Sequence, residues 1–155
     1  MNTMARCYED FVIGEVVEAG PVEVTADAIK AFAEQSDPQL PNDIAPDAAV
    51  AGQVASGLHI TCLNMRLLVD AFLCDTQAMG RPGVGEICYF IPVRAGDSLT
   101  MRLEVVGLRR SPVRVDIGLL RCRSEMRNSS GTPVTRMTMT LMFARRDVVD
   151  RARPT

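Results

Sequence analysis

The chain is poor in two residue types that often carry chemistry, since it has one histidine, His59, and one lysine, Lys30. It also lacks an excess of positive charge: 17 basic residues stand against 19 acidic ones, for a net charge of −2. This balance argues against the basic surface by which proteins bind nucleic acids. Nearly all of the cations are arginines, which indicates either bidentate binding of phosphates and carboxylates or a general arginine bias.

Cysteine patterns that indicate a metal site or a disulfide framework are also missing. The five cysteines form no C-x-x-C pair, and their number is odd. The sequence therefore predicts neither a zinc site nor a disulfide-stabilised fold. No metal and no redox cofactor are expected.

Targeting and membrane-spanning segments are not evident either. Residues 1–10 lack a cationic stretch followed by an apolar run, so no signal peptide is predicted. The most hydrophobic segment, residues 54–73, is interrupted by His59, Asn64, Arg66 and Asp70. This pattern predicts a buried helix rather than a membrane span, and a cytoplasmic location is expected.

The size and composition that remain are those of one globular domain. The chain has 155 residues, of which 47% are hydrophobic and 23% charged. A chain of this length can bury a substantial core. Because no repeat, linker or low-complexity tract interrupts it, we predict a single domain over residues 1–155.

Two helices are predicted in the first half of the chain. After a strand over residues 16–24, Thr25 is suited to cap a helix that runs to about residue 35, and Asp37-Pro38 ends it. Ser56 is suited to cap a longer helix that reaches Leu73. Apolar residues lie around most of the circumference of this second helix, so other elements must surround it.

The second half of the chain has the alternating pattern of β-strands. Strands are predicted over residues 86–92, 99–107, 113–127 and 134–143, with a hairpin turn at residues 128–131. The apolar face of the third of these strands switches near Leu119-Leu120, which predicts a bulge or a strong twist there. One long buried helix followed by long antiparallel strands predicts an α+β fold in which the sheet curls around the helix.

Several short motifs occur in a characteristic order: SDPQ at 36–39, ASGLH at 55–59, MRL at 65–67 and PVRAGDSL at 92–99. With VVGLR at 105–109 and GTPV at 131–134, they make the chain resemble the MaoC-like dehydratase family, which includes the (R)-specific enoyl-CoA hydratases. The resemblance covers nearly the whole chain. It implies the hotdog fold, with a long central helix wrapped by a curved antiparallel sheet. It also implies homodimers, or dimers of dimers, whose sheets join edge to edge.

The resemblance also implies catalytic residues. In the family's hydratases, an aspartate and a histidine five residues later hold the water that adds to an enoyl thioester, while a backbone N–H at the start of the central helix polarises the thioester carbonyl. By position, Asp37 matches the aspartate and Gly57 the residue that supplies the N–H. Asn42 stands where the histidine is expected. An asparagine orients water but does not shuttle protons, and losing an acid–base group typically costs about 10²–10⁴-fold in rate.

Ser56 and His59 are predicted to bind substrate next to Gly57. His59 lies about one helical turn from the carbonyl-binding position. Its alternative role is that of a core or interface histidine whose ring bonds a backbone carbonyl. Asp37 likewise has an alternative role as an Asx-type helix stop before Pro38.

Three functions stay open from the sequence. The favoured one is an enoyl-CoA hydratase or dehydratase with an altered active site. The others are a hotdog acyl-CoA thioesterase, which needs one carboxylate and a helix N-terminus, and a catalytically silent acyl-CoA-binding or assembly subunit. In each case the resemblance implies no cofactor beyond the coenzyme A of the substrate, and an acyl carrier protein thioester is the alternative ligand.

Overall fold

The computed structural model describes residues 5–36 and 54–147. Asp37 and Asn42 therefore lie outside the described residues. The elements, in chain order, are a 3₁₀ turn Tyr8–Asp10, β1 Val16–Glu23, α1 Ala26–Ser36, α2 Gly57–Leu68 with a π-helical extension Val69–Leu73, β2 Ala78–Tyr89, β3 Ser98–Arg110, β4 Ile117–Asn128 and β5 Pro133–Ala144.

The strands form one antiparallel five-stranded sheet in the order β1-β3-β4-β5-β2. One face of the sheet packs on α2, where Ile60, Leu68 and the following Phe72 are buried. Alternate residues of β3, from Leu99 to Val105, point into the same core, as the period-2 pattern predicts. The predicted α+β hotdog architecture is confirmed. Among the described residues, no helix is long and apolar enough to cross a membrane.

The helix starts follow the predicted caps. The backbone N–H of Ala28 donates to Thr25 Oγ1 at 3.1 Å, so Thr25 caps α1. Ser56 caps α2 in the same way. The helical segment from Gly57 ends at Leu73, but its last five residues form a π-helix.

The strand after α2 begins earlier than the sequence predicts. β2 starts at Ala78 rather than Glu86. Gly80, Pro82 and Gly83 disfavour a regular strand. They are accommodated because β2 lies at the edge of the sheet and its pairing with β5 shifts register at several points.

The predicted bulge near Leu119-Leu120 is wrong. The register shift lies on the neighbouring strand, between Val105 and Gly107, and Leu119 and Leu120 pair regularly. The apolar pattern of β4 changes there because residues 117–120 are all buried, and the ring of Tyr8 lies where a Gly118 side chain would be. The 3₁₀ turn therefore covers this end of β4. β4 begins at Ile117, not at residue 113.

Candidate active site at the start of the central helix

The first turn of α2 has two backbone N–H groups for which the described residues supply no acceptor. Ser56 Oγ accepts from the His59 N–H at 3.1 Å, and the Ser56 carbonyl accepts from the Ile60 N–H at 3.2 Å. Among the described residues, neither the Gly57 N–H nor the Leu58 N–H has a partner. These two N–H groups also sit at the positive end of the helix dipole, so they favour an oxygen that carries negative charge.

These donors border a pocket with a volume of about 590 Å³. Its walls come from the first residues of α2 and from the segment that follows β2, and they are mainly apolar. The lining residues are Ala55, Ser56, Gly57, Leu58, Ile60, Tyr89, Phe90, Ile91, Pro92, Val93 and Thr135. A concave apolar pocket with a few convergent donors is the usual form of a small-molecule site.

The ring of Tyr89 packs directly on Gly57. A Cβ at position 57 would lie 2.6 Å from Cε1 and Cζ of this ring, so a larger residue there would displace the ring. The Tyr89 hydroxyl lies 2.9 Å from Thr61 Oγ1, which donates to the Gly57 carbonyl at 3.0 Å. The ring of Tyr89 therefore takes the room that the absent side chain of Gly57 leaves.

His59 points toward α1 and does not line the pocket. Its side chain is stacked on Phe32, with ring centroids 4.9 Å apart and an interplanar angle of 9°. The residue is only 6% exposed, and Nδ1 has no hydrogen-bond partner among the described residues. Burial lowers the pKa of the imidazole, which favours its neutral form. The backbone-carbonyl bond considered for this ring is not formed within the described residues.

The structure thus brings Ser56 and Gly57 together at the pocket, with His59 on another side of the same helix turn. Sequence reasoning missed Tyr89 and Thr61. The spacing of Gly57 and Thr61, four residues apart, places both on one helix face. Tyr89 in β2 gave no comparable sequence signal, because its contact with Gly57 depends on how β2 packs against α2.

Four of the eight arginines on the strands form ion pairs with glutamates of the sheet. Glu104 binds Arg102 and Arg123, whose hydrogen bonds lower the pKa of its carboxyl group. Glu125 binds Arg127 and Arg136. Such ion pairs are typical of solvated strand faces. Arginines without an ion pair to a described carboxylate remain on β3 and β4, namely Arg109, Arg110 and Arg121. Within the same residues, no cluster of acidic, cysteine or histidine side chains could hold a metal ion.

Comparison with curated proteins gives one distant relative. No family model matches the sequence. The chain is similar to YdeM of Bacillus subtilis, an uncharacterised protein, with 25% identity over 115 residues. The matched region covers 72% of this chain and 80% of YdeM.

Comparison with solved structures gives more informative neighbours. A MaoC-like dehydratase from Rhodospirillum rubrum is 34% identical, with a TM-score of 0.80, and the match covers 91% of this chain and 98% of that one. The (R)-hydratase PhaJ1 from Pseudomonas aeruginosa is 18% identical, with a TM-score of 0.69 and coverage of 90% and 86%. The HadBC complex from Mycobacterium tuberculosis, a 3R-hydroxyacyl-ACP dehydratase, is 20% identical, with a TM-score of 0.68 and coverage of 85% and 97%.

Proposed function

The chain belongs to the MaoC-like dehydratase family, and from this premise we propose that it binds acyl thioesters and catalyses hydration of an enoyl thioester or the reverse dehydration. The observation that carries the proposal is the pocket at the start of α2, where N–H groups without an acceptor in the described part of the chain meet a mainly apolar cavity. An enoyl thioester has the matching chemistry: an apolar chain and a carbonyl oxygen that becomes negative during reaction.

In the proposed reaction, the Gly57 N–H binds the thioester oxygen. Asp37 takes a proton from a water molecule that Asn42 orients, while the water oxygen bonds to C3. The electron pair of the double bond moves toward the carbonyl, giving an enolate that the helix N-terminus stabilises. Asp37 then returns a proton to C2. Dehydration follows the same steps in reverse, and the only cofactor component is the coenzyme A of the substrate.

The test of this function is incubation with crotonyl-CoA. Hydration consumes the enoyl absorbance without releasing free thiol, and we expect this result for the wild-type protein. Asp37→Asn should lower the rate by about 10²-fold or more, because it removes the proposed base. Asn42→His should raise the rate, because histidine adds the proton-transfer group that asparagine lacks.

The same assay separates the rival functions. Thiol release from a saturated acyl-CoA identifies a thioesterase, for which one carboxylate and a helix N-terminus are sufficient. Binding of coenzyme A thioesters without turnover identifies a silent binding or assembly subunit. A wild-type protein that neither binds nor converts either substrate contradicts all three proposals.

We also propose that the protein assembles as a homodimer through the edge of its sheet. β2 is an edge strand whose residues from Ala78 to Glu86 are exposed. The pocket begins where this strand ends, at Tyr89. A second copy along β2 would therefore lie close to the acyl-thioester site.

A further inference from the structure

A directed chain of hydrogen bonds ends on the first peptide group of α2. The Gly57 carbonyl can only accept, so Thr61 must use its single hydroxyl proton for the 3.0 Å bond to this oxygen. The Tyr89 hydroxyl, 2.9 Å from Thr61 Oγ1, must then be the donor in the second bond. The chain therefore runs from Tyr89 through Thr61 to the Gly57 carbonyl.

The peptide group that receives this chain also carries the Leu58 N–H. The Gly57 carbonyl and the Leu58 N–H belong to one planar, conjugated unit. Hydrogen bonds in series polarise one another, so a bond accepted by the carbonyl makes the N–H a stronger donor. Leu58 lines the pocket, and its N–H has no partner among the described residues.

The Tyr89 ring adds a steric constraint to the same peptide group. It packs on Gly57 closely enough to exclude a Cβ, and its hydroxyl is tied to Thr61. Gly57, the first residue of α2, is thus held both at its carbonyl, by Thr61, and at its Cα, by the Tyr89 ring. Donors that are fixed before charge develops stabilise a transition state without the cost of reorganisation.

We propose that Thr61 and Tyr89 are positioning residues of the acyl-thioester site, and that the Leu58 N–H is a second donor to the thioester oxygen next to the Gly57 N–H. This proposal rests on the proposed function, since it assigns how the same site binds its carbonyl group. It gives the Tyr89 hydroxyl a role at the site although that hydroxyl does not touch the substrate.

The first test compares Thr61→Val with Thr61→Ser, using 2,4-hexadienoyl-CoA as a chromophoric ligand. The absorption of this thioester shifts to longer wavelength when its carbonyl is polarised, whether or not turnover occurs. Thr61→Val keeps the shape of the side chain but loses the hydroxyl. We expect this variant to lose most of the spectral shift. It should also lower kcat for crotonyl-CoA about tenfold with little change in KM, because a weaker bond from the Leu58 N–H to the thioester oxygen costs most in the transition state. Thr61→Ser should restore both quantities, and Tyr89→Phe should give a partial loss.

The second test removes the proposed donor itself. Leu58→Pro deletes the N–H at a first-turn position where proline is tolerated in helices. Leu58→Ala keeps the N–H and measures what the largely exposed side chain contributes. Relative to Leu58→Ala, we expect Leu58→Pro to lower kcat about 10²-fold, the effect of losing an oxyanion donor. Circular dichroism melting curves identify any variant that fails to fold.

The outcomes separate this proposal from the function on which it rests. If wild-type protein shifts the hexadienoyl spectrum and folded Thr61→Val shifts it equally, the positioning role is overturned and the function stands. If folded Leu58→Pro matches Leu58→Ala, the second donor is overturned. If wild-type protein binds no thioester, the proposed function fails and this inference fails with it.

Discussion

At the scale of single residues, two glycines are required by neighbouring aromatic rings. Gly57 lies beneath the ring of Tyr89, and Gly118 lies beneath the ring of Tyr8. A side chain at either position would overlap the ring, so each glycine allows an aromatic residue from another element to approach the backbone. One contact shapes the candidate site, and the other attaches the N-terminal 3₁₀ turn to β4.

His59 makes a residue-scale prediction about pH. Because burial lowers its pKa in the folded protein, the unfolded chain binds more protons than the folded one between that lowered pKa and about 6.5. The free energy of unfolding should therefore fall as the pH drops below about 6.5. Urea unfolding between pH 5 and about pH 8 measures how the free energy of unfolding depends on pH. Carboxylates titrate mainly below this range.

The matched variant for this prediction is His59→Gln. As His59 is the only histidine, its replacement removes the side-chain titration of this range. The stability of His59→Gln should then change little between pH 5.5 and about pH 7. An equal slope in the variant and the wild-type protein would contradict the assignment to His59.

At the scale of elements, α2 is joined to the sheet by a polar pair inside the core. Asn64 and Ser124 are fully buried, and the Ser124 hydroxyl donates to Asn64 Oδ1 at 2.8 Å. Asn64 Nδ2 has no partner among the described residues. The bond links the middle of the helix to β4 and stabilises one position of the helix along the strand, because a buried polar group without a partner is costly.

A double-mutant cycle tests this connection. Ser124→Ala should lower the free energy of unfolding by about 1–3 kcal/mol, because it leaves the buried Asn64 Oδ1 without the hydroxyl that donates to it. The same change in an Asn64→Ala background should cost less, since the amide is then already absent. Chemical denaturation of the four proteins gives the coupling free energy, which we expect to be about 1 kcal/mol. Additive effects would show that the bond does not couple helix and strand.

Elements with strong local signals could be predicted, and those set by tertiary contacts could not. The caps at Thr25 and Ser56 and the turn at Asn128–Gly131 follow from the chemistry of those residues. The first half of β2 has no such signal, because its glycines and Pro82 are acceptable only at a sheet edge. In the candidate site, Ser56 and Gly57 could be located from their motif, whereas the contact of Tyr89 depends on how β2 packs against α2.

At the scale of the whole molecule, the sheet of described strands ends in two edge strands, β1 and β2, and they differ. β1 is a short strand of eight residues, whereas β2 has 12 residues and continues into the pocket wall at Tyr89. Each edge carries one comparably exposed valine, Val16 on β1 at 42% and Val84 on β2 at 46%. These two residues provide a direct comparison of the edges.

We predict that Val84→Lys shifts the protein from dimer to monomer and that Val16→Lys does not. A lysine on an edge strand disfavours pairing with a second strand, because its charge must stay solvated. Sedimentation velocity of both variants and the wild-type protein over a range of concentrations measures the change. Dissociation by Val16→Lys alone would place the interface on β1 instead.

The irregular register of β2 also bears on which chains the protein associates with. Its pairing with β5 shifts between Ala78 and Gly80, between Gly80 and Gly83, and between Val84 and Ile87. A strand with these breaks twists and bends, so a flat, regular segment of another protein cannot follow it for more than a few residues. We therefore expect the edge to disfavour pairing with unrelated strands, which lowers the tendency to form mixed aggregates.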